Sequence, residues 1–143
     1  MMLTKILSCA AILALGSLLS CSLASYGESV TVATAYYDAL VAKDPRRMCS
    51  LFSSAFRKSF VSGPCEPIAA GIIGLRSNIT SRTLVRVSSQ KSPSSGRTRT
   101  VLRYNLVSNN RSIVEELVID GVEASPSSFA IEAINELTFE PVD

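Results

Sequence analysis

The stretch from Met48 to Ala70, MCSLFSSAFRKSFVSGPCEPIAA, constrains this chain more than any other, because it places Cys49 and Cys65 on what read as the apolar sides of two helices. In an exported chain, two small, weakly polar cysteines on facing helical stripes are best read as a disulfide. Such a bridge contributes about 3 kcal/mol through the loop it closes in the unfolded chain. That is a large part of a small domain's stability. The opposed reading, a redox-active pair, has no histidine and no evidently placed cation to lower a thiol pKa. The chain has no histidine at all. Neither a Cys-x-x-Cys nor a zinc spacing occurs, so no metal and no cofactor is expected.

At 143 residues, 47% of them hydrophobic, the chain suits one small domain. Basic residues number 14 against 12 acidic ones and are scattered, which gives no electrostatic reason to expect a nucleic-acid partner.

Export is read from the first residues, MMLTKILSCAAILALGSLLSCSLAS. Lys5 is a short positive flank. Ile6 to Leu19 is an apolar run of signal-peptide length, too short to span a bilayer, which needs about 20 apolar residues. Leu18-Leu19-Ser20-Cys21 resembles the bacterial lipobox. That resemblance implies a signal peptide over 1–20, a diacylglycerol thioether on Cys21, a tether over 21–28, and anchoring on the outer face of the cell membrane. Two or three acyl chains suffice for stable anchoring. Ser22-Leu23-Ala24 also matches an ordinary cleavage site, in which case Cys21 is discarded and the protein is secreted. Cys9 lies in the apolar run and is lost either way.

The remaining 29–143 divide by period. A first helix is expected from Ser29, as N-cap, to about Lys43, with Ala33, Tyr36, Tyr37, Leu40 and Val41 as its apolar stripe. Asp44-Pro45 restarts a second helix, which carries Met48, Cys49, Leu51 and Phe52 inward. Ser53 can re-cap a further turn bearing Ala55, Phe56 and Phe60. Pro64 opens a third helix, buried along Cys65, Ile68, Ala69, Ile72 and Ile73. From Arg82 the period becomes two. Strands are expected at Leu84–Gln90, with Val85 and Val87 on one face, at Thr98–Ser108, with Thr100, Leu102, Tyr104 and Leu106 on one face, and at Arg111–Asp120. Asn109-Asn110 supplies the tight hairpin between the last two. Phe129–Phe139 alternates as a fourth strand, although Ala130, Glu132, Ala133, Glu136 and Leu137 are also good helix formers. The layout is α+β: three N-terminal helices packed on a curved, four-stranded antiparallel sheet.

On the YYDALVAKDPRRMCSLFSSAFR stretch, the chain resembles the nuclear-transport-factor-2-like, or cystatin-like cone, superfamily, and with the lipobox and two helical cysteines it is similar to small actinobacterial lipoproteins of that fold. The resemblance spans about Val30 to Phe139 and rests on element order, not on a diagnostic motif. It departs in having Ser128-Phe129-Ala130-Ile131 where an aromatic dipeptide would open the last strand. It implies a cone cavity, with Tyr37, Leu102, Tyr104 and Leu106 as its candidate lining.

Cone-fold isomerases and dehydratases place Asp, Tyr and His in that cavity. Here only Asp38, Tyr36, Tyr37 and Tyr104 are candidates, and Asp38 is expected to face solvent. Without histidine the commonest general base is missing, so no catalytic residue is assigned. Glu115-Glu116 and Glu132/Glu136 read as ion-pair partners of Arg103 and Arg99 on a solvated sheet face. The expected function is non-catalytic binding of a small apolar ligand or an envelope protein. A cone-fold enzyme and a structural subunit of an envelope complex are the alternatives.

Overall fold

The computed structural model describes residues 26–60, 63–76 and 78–141. Cys21, the signal segment and most of the tether lie outside them. The chain forms an α+β domain whose helical segments precede an antiparallel sheet of order β1-β2-β3-β4.

Helix α1 spans Gly27–Val41. It begins before the expected Ser29 cap, because the Val30 amide already bonds to the Tyr26 carbonyl at 3.0 Å. Ser29 is instead buried inside the first turn. Ala33, Tyr36, Tyr37 and Leu40 form the buried stripe, whereas Val41 is 76% exposed. The helix ends as Lys43 takes a φ of 54°, with the Asp44 amide on the Ala39 carbonyl at 2.9 Å. This is a Schellman-type stop with lysine in the left-handed position.

Helix α2, Pro45–Ser50, starts as its sequence dictates: Asp44 accepts the Arg47 amide at 3.0 Å and Pro45 occupies the first turn. A further turn follows, re-capped at Ser53 as expected. Phe52 leaves the helix to pair with Ile131, the Ser53 amide bonding to the Ile131 carbonyl at 2.9 Å and the Ile131 amide to the Leu51 carbonyl at 2.8 Å. Ser53 then caps α3, Ser54–Lys58, through the Phe56 amide. Rings of Phe52, Phe56 and Phe60 meet edge to face with centroids 5.0 to 6.1 Å apart.

Helix α4 is Cys65–Arg76, with Ala69, Ile73 and Arg76 buried. A disulfide joins its first residue to Cys49 of α2 across a sequence separation of 16.

The strands are β1 Ile79–Lys91, β2 Arg97–Ser108, β3 Arg111–Val122 and β4 Ser125–Pro141. The turn between β2 and β3 is Asn109-Asn110, both with positive φ (50° and 59°), the geometry of a type I′ hairpin. Strand β2 alternates without interruption: Thr98, Thr100, Leu102, Tyr104, Leu106 and Ser108 face the helices and are buried.

Both edge strands depart from the expected phase. A bulge between Leu84 and Arg86 turns Leu84 and Val87 inward and leaves Val85 47% exposed, not paired with Val87 on one face. In β4, register shifts near Glu132 and Leu137 carry Ile131, Ile134 and Glu136 opposite the inward Ile119, Leu117 and Glu115. The strand reading of this segment holds, but Leu137 is 42% exposed. Gly121 faces Phe129 so closely that a Cβ there would lie 2.4 Å from the ring.

Candidate functional site

Strand β3 reads IVEELVI, and Glu115 has the same parity as Ile113, Leu117 and Ile119. The strand therefore presents a carboxylate to the helices, not to solvent. Glu115 has no exposed surface, and both its oxygens are engaged. Tyr37 of α1 donates its hydroxyl to Oε1 at 2.9 Å, and Arg76 of α4 donates Nε to Oε2 at 3.0 Å. The Arg76 fork continues through Nη2 to Glu136 Oε2 at 2.6 Å.

This corrects the expected surface pairing of Glu115 and Glu136 with Arg103 and Arg99. The expectation holds for Glu116, whose Oε2 takes Nε and Nη2 of Arg103 at 2.9 and 2.7 Å on the opposite face.

Burial dominates the electrostatics. It pushes the Glu115 carboxyl above the usual carboxylate range, against the opposing pull of Arg76 and Tyr37. It also raises Tyr37, and the Glu115 charge raises it further. For Arg76, burial favours the neutral form, but Glu115 and Glu136 more than offset it and the guanidinium stays charged. The Tyr36 hydroxyl, fully buried, makes no hydrogen bond. Its pKa is raised by burial and then by Glu115.

The predicted cavity residues separate. Leu102, Tyr104 and Leu106 are packed in the core beneath α1, with the Tyr104 and Tyr37 rings edge to face at 5.0 Å. Tyr37 also borders a cleft of about 330 Å³ between α1 and the start of β1, together with Asp38, Leu40, Val41, Ile79 and Arg82. Arg82 lies over the Tyr37 ring, 4.6 Å from its centroid. Asp38 is exposed, as expected, 4.0 Å from Arg47. A second cleft of about 250 Å³ separates α4 from β4, where Arg76, Glu115 and Glu136 meet Phe56, Ile72 and Ile134.

Arg76 and Arg82 are the residues sequence reasoning missed. For Arg76 a signal existed, since it continues the Ala69, Ile72, Ile73 stripe at helical spacing. Among the described residues, no group of three or more His, Cys, Asp or Glu side chains could hold a metal ion, and no helix is long and apolar enough to cross a membrane.

The fold and site define an α+β domain with an ionic cluster built on the buried Glu115 and an amphipathic cleft beside α1. Comparison of the chain with family models, with curated proteins and with solved structures finds no match.

Proposed function

We propose that the protein is an exported lipoprotein, anchored through a lipid on Cys21, whose domain is a cystatin-like cone of the nuclear-transport-factor-2-like type that binds a small apolar ligand without reacting with it. The observation that carries this reading is the cleft beside Tyr37, walled by Leu40, Val41 and Ile79. Its size falls at the lower end of small-molecule sites, about 300 to 1,000 Å³. The helices laid over a four-stranded antiparallel sheet support the cone assignment. The Cys49–Cys65 bridge supports an oxidising compartment.

Absence of chemistry is supported by the state of the acidic group best placed for it. Glu115 has no exposed surface, and Tyr37 on one oxygen and Arg76 on the other hold it as the shared acceptor of two fixed donors.

Anchoring is tested by metabolic labelling with a fatty-acid analogue. Wild type should be marked and Cys21→Ser should not, while an unmarked wild type beginning at Ser25 would mean plain secretion. Binding without turnover is tested by mass spectrometry of apolar compounds recovered with the protein from membranes. Recovery of a chemically altered compound, lost with Asp38→Asn, would establish an enzyme instead.

A further inference from the structure

Resting on the small-ligand reading above, we infer that the cleft between α1 and β1 takes a single-chain amphiphile with a carboxylate head, the head at Arg82 and the chain along Val41 and Ile79.

The head assignment comes from Arg82. Among the described residues, no carboxylate lies within ion-pairing distance of it, although Arg76, Arg97 and Arg103 each have one. The guanidinium is held over the Tyr37 ring. An arginine stacked in this way keeps its planar N–H donors for an acid of matching geometry. Tyr37 cannot compete for the head, because its hydroxyl is committed inward to Glu115. Ser81 lines the cleft next to Arg82. Asp38, also on the rim, has Arg47 at 4.0 Å, so the charge around the cleft sums in favour of an anion.

The chain assignment comes from Val41. Val41 is 76% exposed among the described residues, so its side chain is open to a ligand in the cleft it borders. It sits beside Leu40 and Ile79 in the same cleft as Arg82. Together they give a charged end and an apolar end across one short concavity. At about 330 Å³ the space suits one short chain, not the two chains of a phospholipid.

The test uses the full chain in native membranes and a decanoate bearing a terminal diazirine. After irradiation, labelled peptides are mapped by mass spectrometry while decanoate, decanol, decylammonium or phosphatidylglycerol vesicles compete. Label should fall on the peptides holding Val41 or Ile79, and decanoate should displace it roughly tenfold better than decanol, as expected of a charge-assisted hydrogen bond. Arg82→Gln should abolish that preference. Arg86→Gln, paired across the sheet with the outward Arg103, should not.

Equal displacement by decanol in wild type would overturn the carboxylate head and leave the apolar-ligand reading standing. Stronger displacement by decylammonium would overturn the sign of the head, and stronger displacement by the vesicles would overturn the single chain. Absence of label from both peptides would overturn this inference together with the reading it rests on.

Discussion

Replacing Arg76 by methionine removes the cation that bonds to Glu115 while keeping most of the buried volume of the arginine stem. In the wild type Arg76 is 8% exposed and bonds to Glu115 at 3.0 Å and to Glu136 at 2.6 Å. In Arg76→Met a carboxylate with no exposed surface keeps only the Tyr37 hydroxyl. Breaking a buried pair from one side costs about 3 to 5 kcal/mol at neutral pH, because an uncompensated charge remains. The sign of the pH dependence comes from the direction of the Glu115 shift. Its folded pKa is already raised, so the native state holds the proton more tightly than the unfolded chain. That contribution is present below the unfolded value of about 4.3 and is lost as pH rises through the folded pKa. Loss of Arg76 takes away a lowering influence and widens this window upward. Urea unfolding from pH 4 to pH 8 should therefore show a cost that is largest at pH 8 and shrinks towards pH 4. Arg76→Met with Glu115→Leu should recover much of the loss. A cost independent of pH, or a double variant as unstable as the sum of the singles, would refute the buried-charge account.

Three further outcomes are expected. Reduction of the Cys49–Cys65 bridge, or Cys49→Ala with Cys65→Ala, should lower the unfolding free energy by about 2 to 4 kcal/mol, read from thermal melts with and without reductant beside a thiol count. Tyr37→Phe should cost about 1 to 3 kcal/mol by leaving Glu115 Oε1 without its donor, and chemical denaturation would show no change if that bond is not formed. Gly121→Ala should cost about 1 to 3 kcal/mol through collision with the Phe129 ring, and Phe129→Leu in the same chain should restore part of it; an unperturbed single variant would mean the ring moves aside freely.

How much can be read from the sequence tracks how local the cause is. The Asn109-Asn110 turn, the Asp44 cap with Pro45, and the unbroken alternation of β2 are each set by residues within one turn or one strand. Bulges have no comparable signature. Those at Val85, Glu132 and Leu137 each reverse the facing of the residues beyond them, so strict alternation pairs Val85 with Val87 and puts Ile134 and Glu136 outside, against the structure. Glu115 is misread for a different reason. Its parity with Ile113 and Leu117 points inward, but the general preference of carboxylates for water outweighs parity, and its cation lies 39 residues away on another element. A buried charge becomes predictable only with its partner, and the partner is a tertiary fact.

The same partner explains how α4 is held. This 12-residue helix, about 18 Å long at ~1.5 Å per residue, buries only Ala69 and Ile73 as apolar residues. Its first residue is tied to α2 by the disulfide, and its last to β3 and β4 by Arg76. Two ties at opposite ends mean that loss of either leaves the helix seated by the other. Loss of both leaves Ala69 and Ile73, with the half-buried Ile72 beside them, against the entropy of 12 ordered residues. Hydrogen exchange in the reduced Arg76→Met protein should therefore show residues 66–76 exchanging far faster than the β2–β3 hairpin, whereas either perturbation alone should keep helix and hairpin within about tenfold of each other. If reduction alone releases the helix, Arg76 is no anchor. If the hairpin loses protection in step with the helix, α4 is part of one cooperative unit with the sheet, and its two ties cannot be separated in this way.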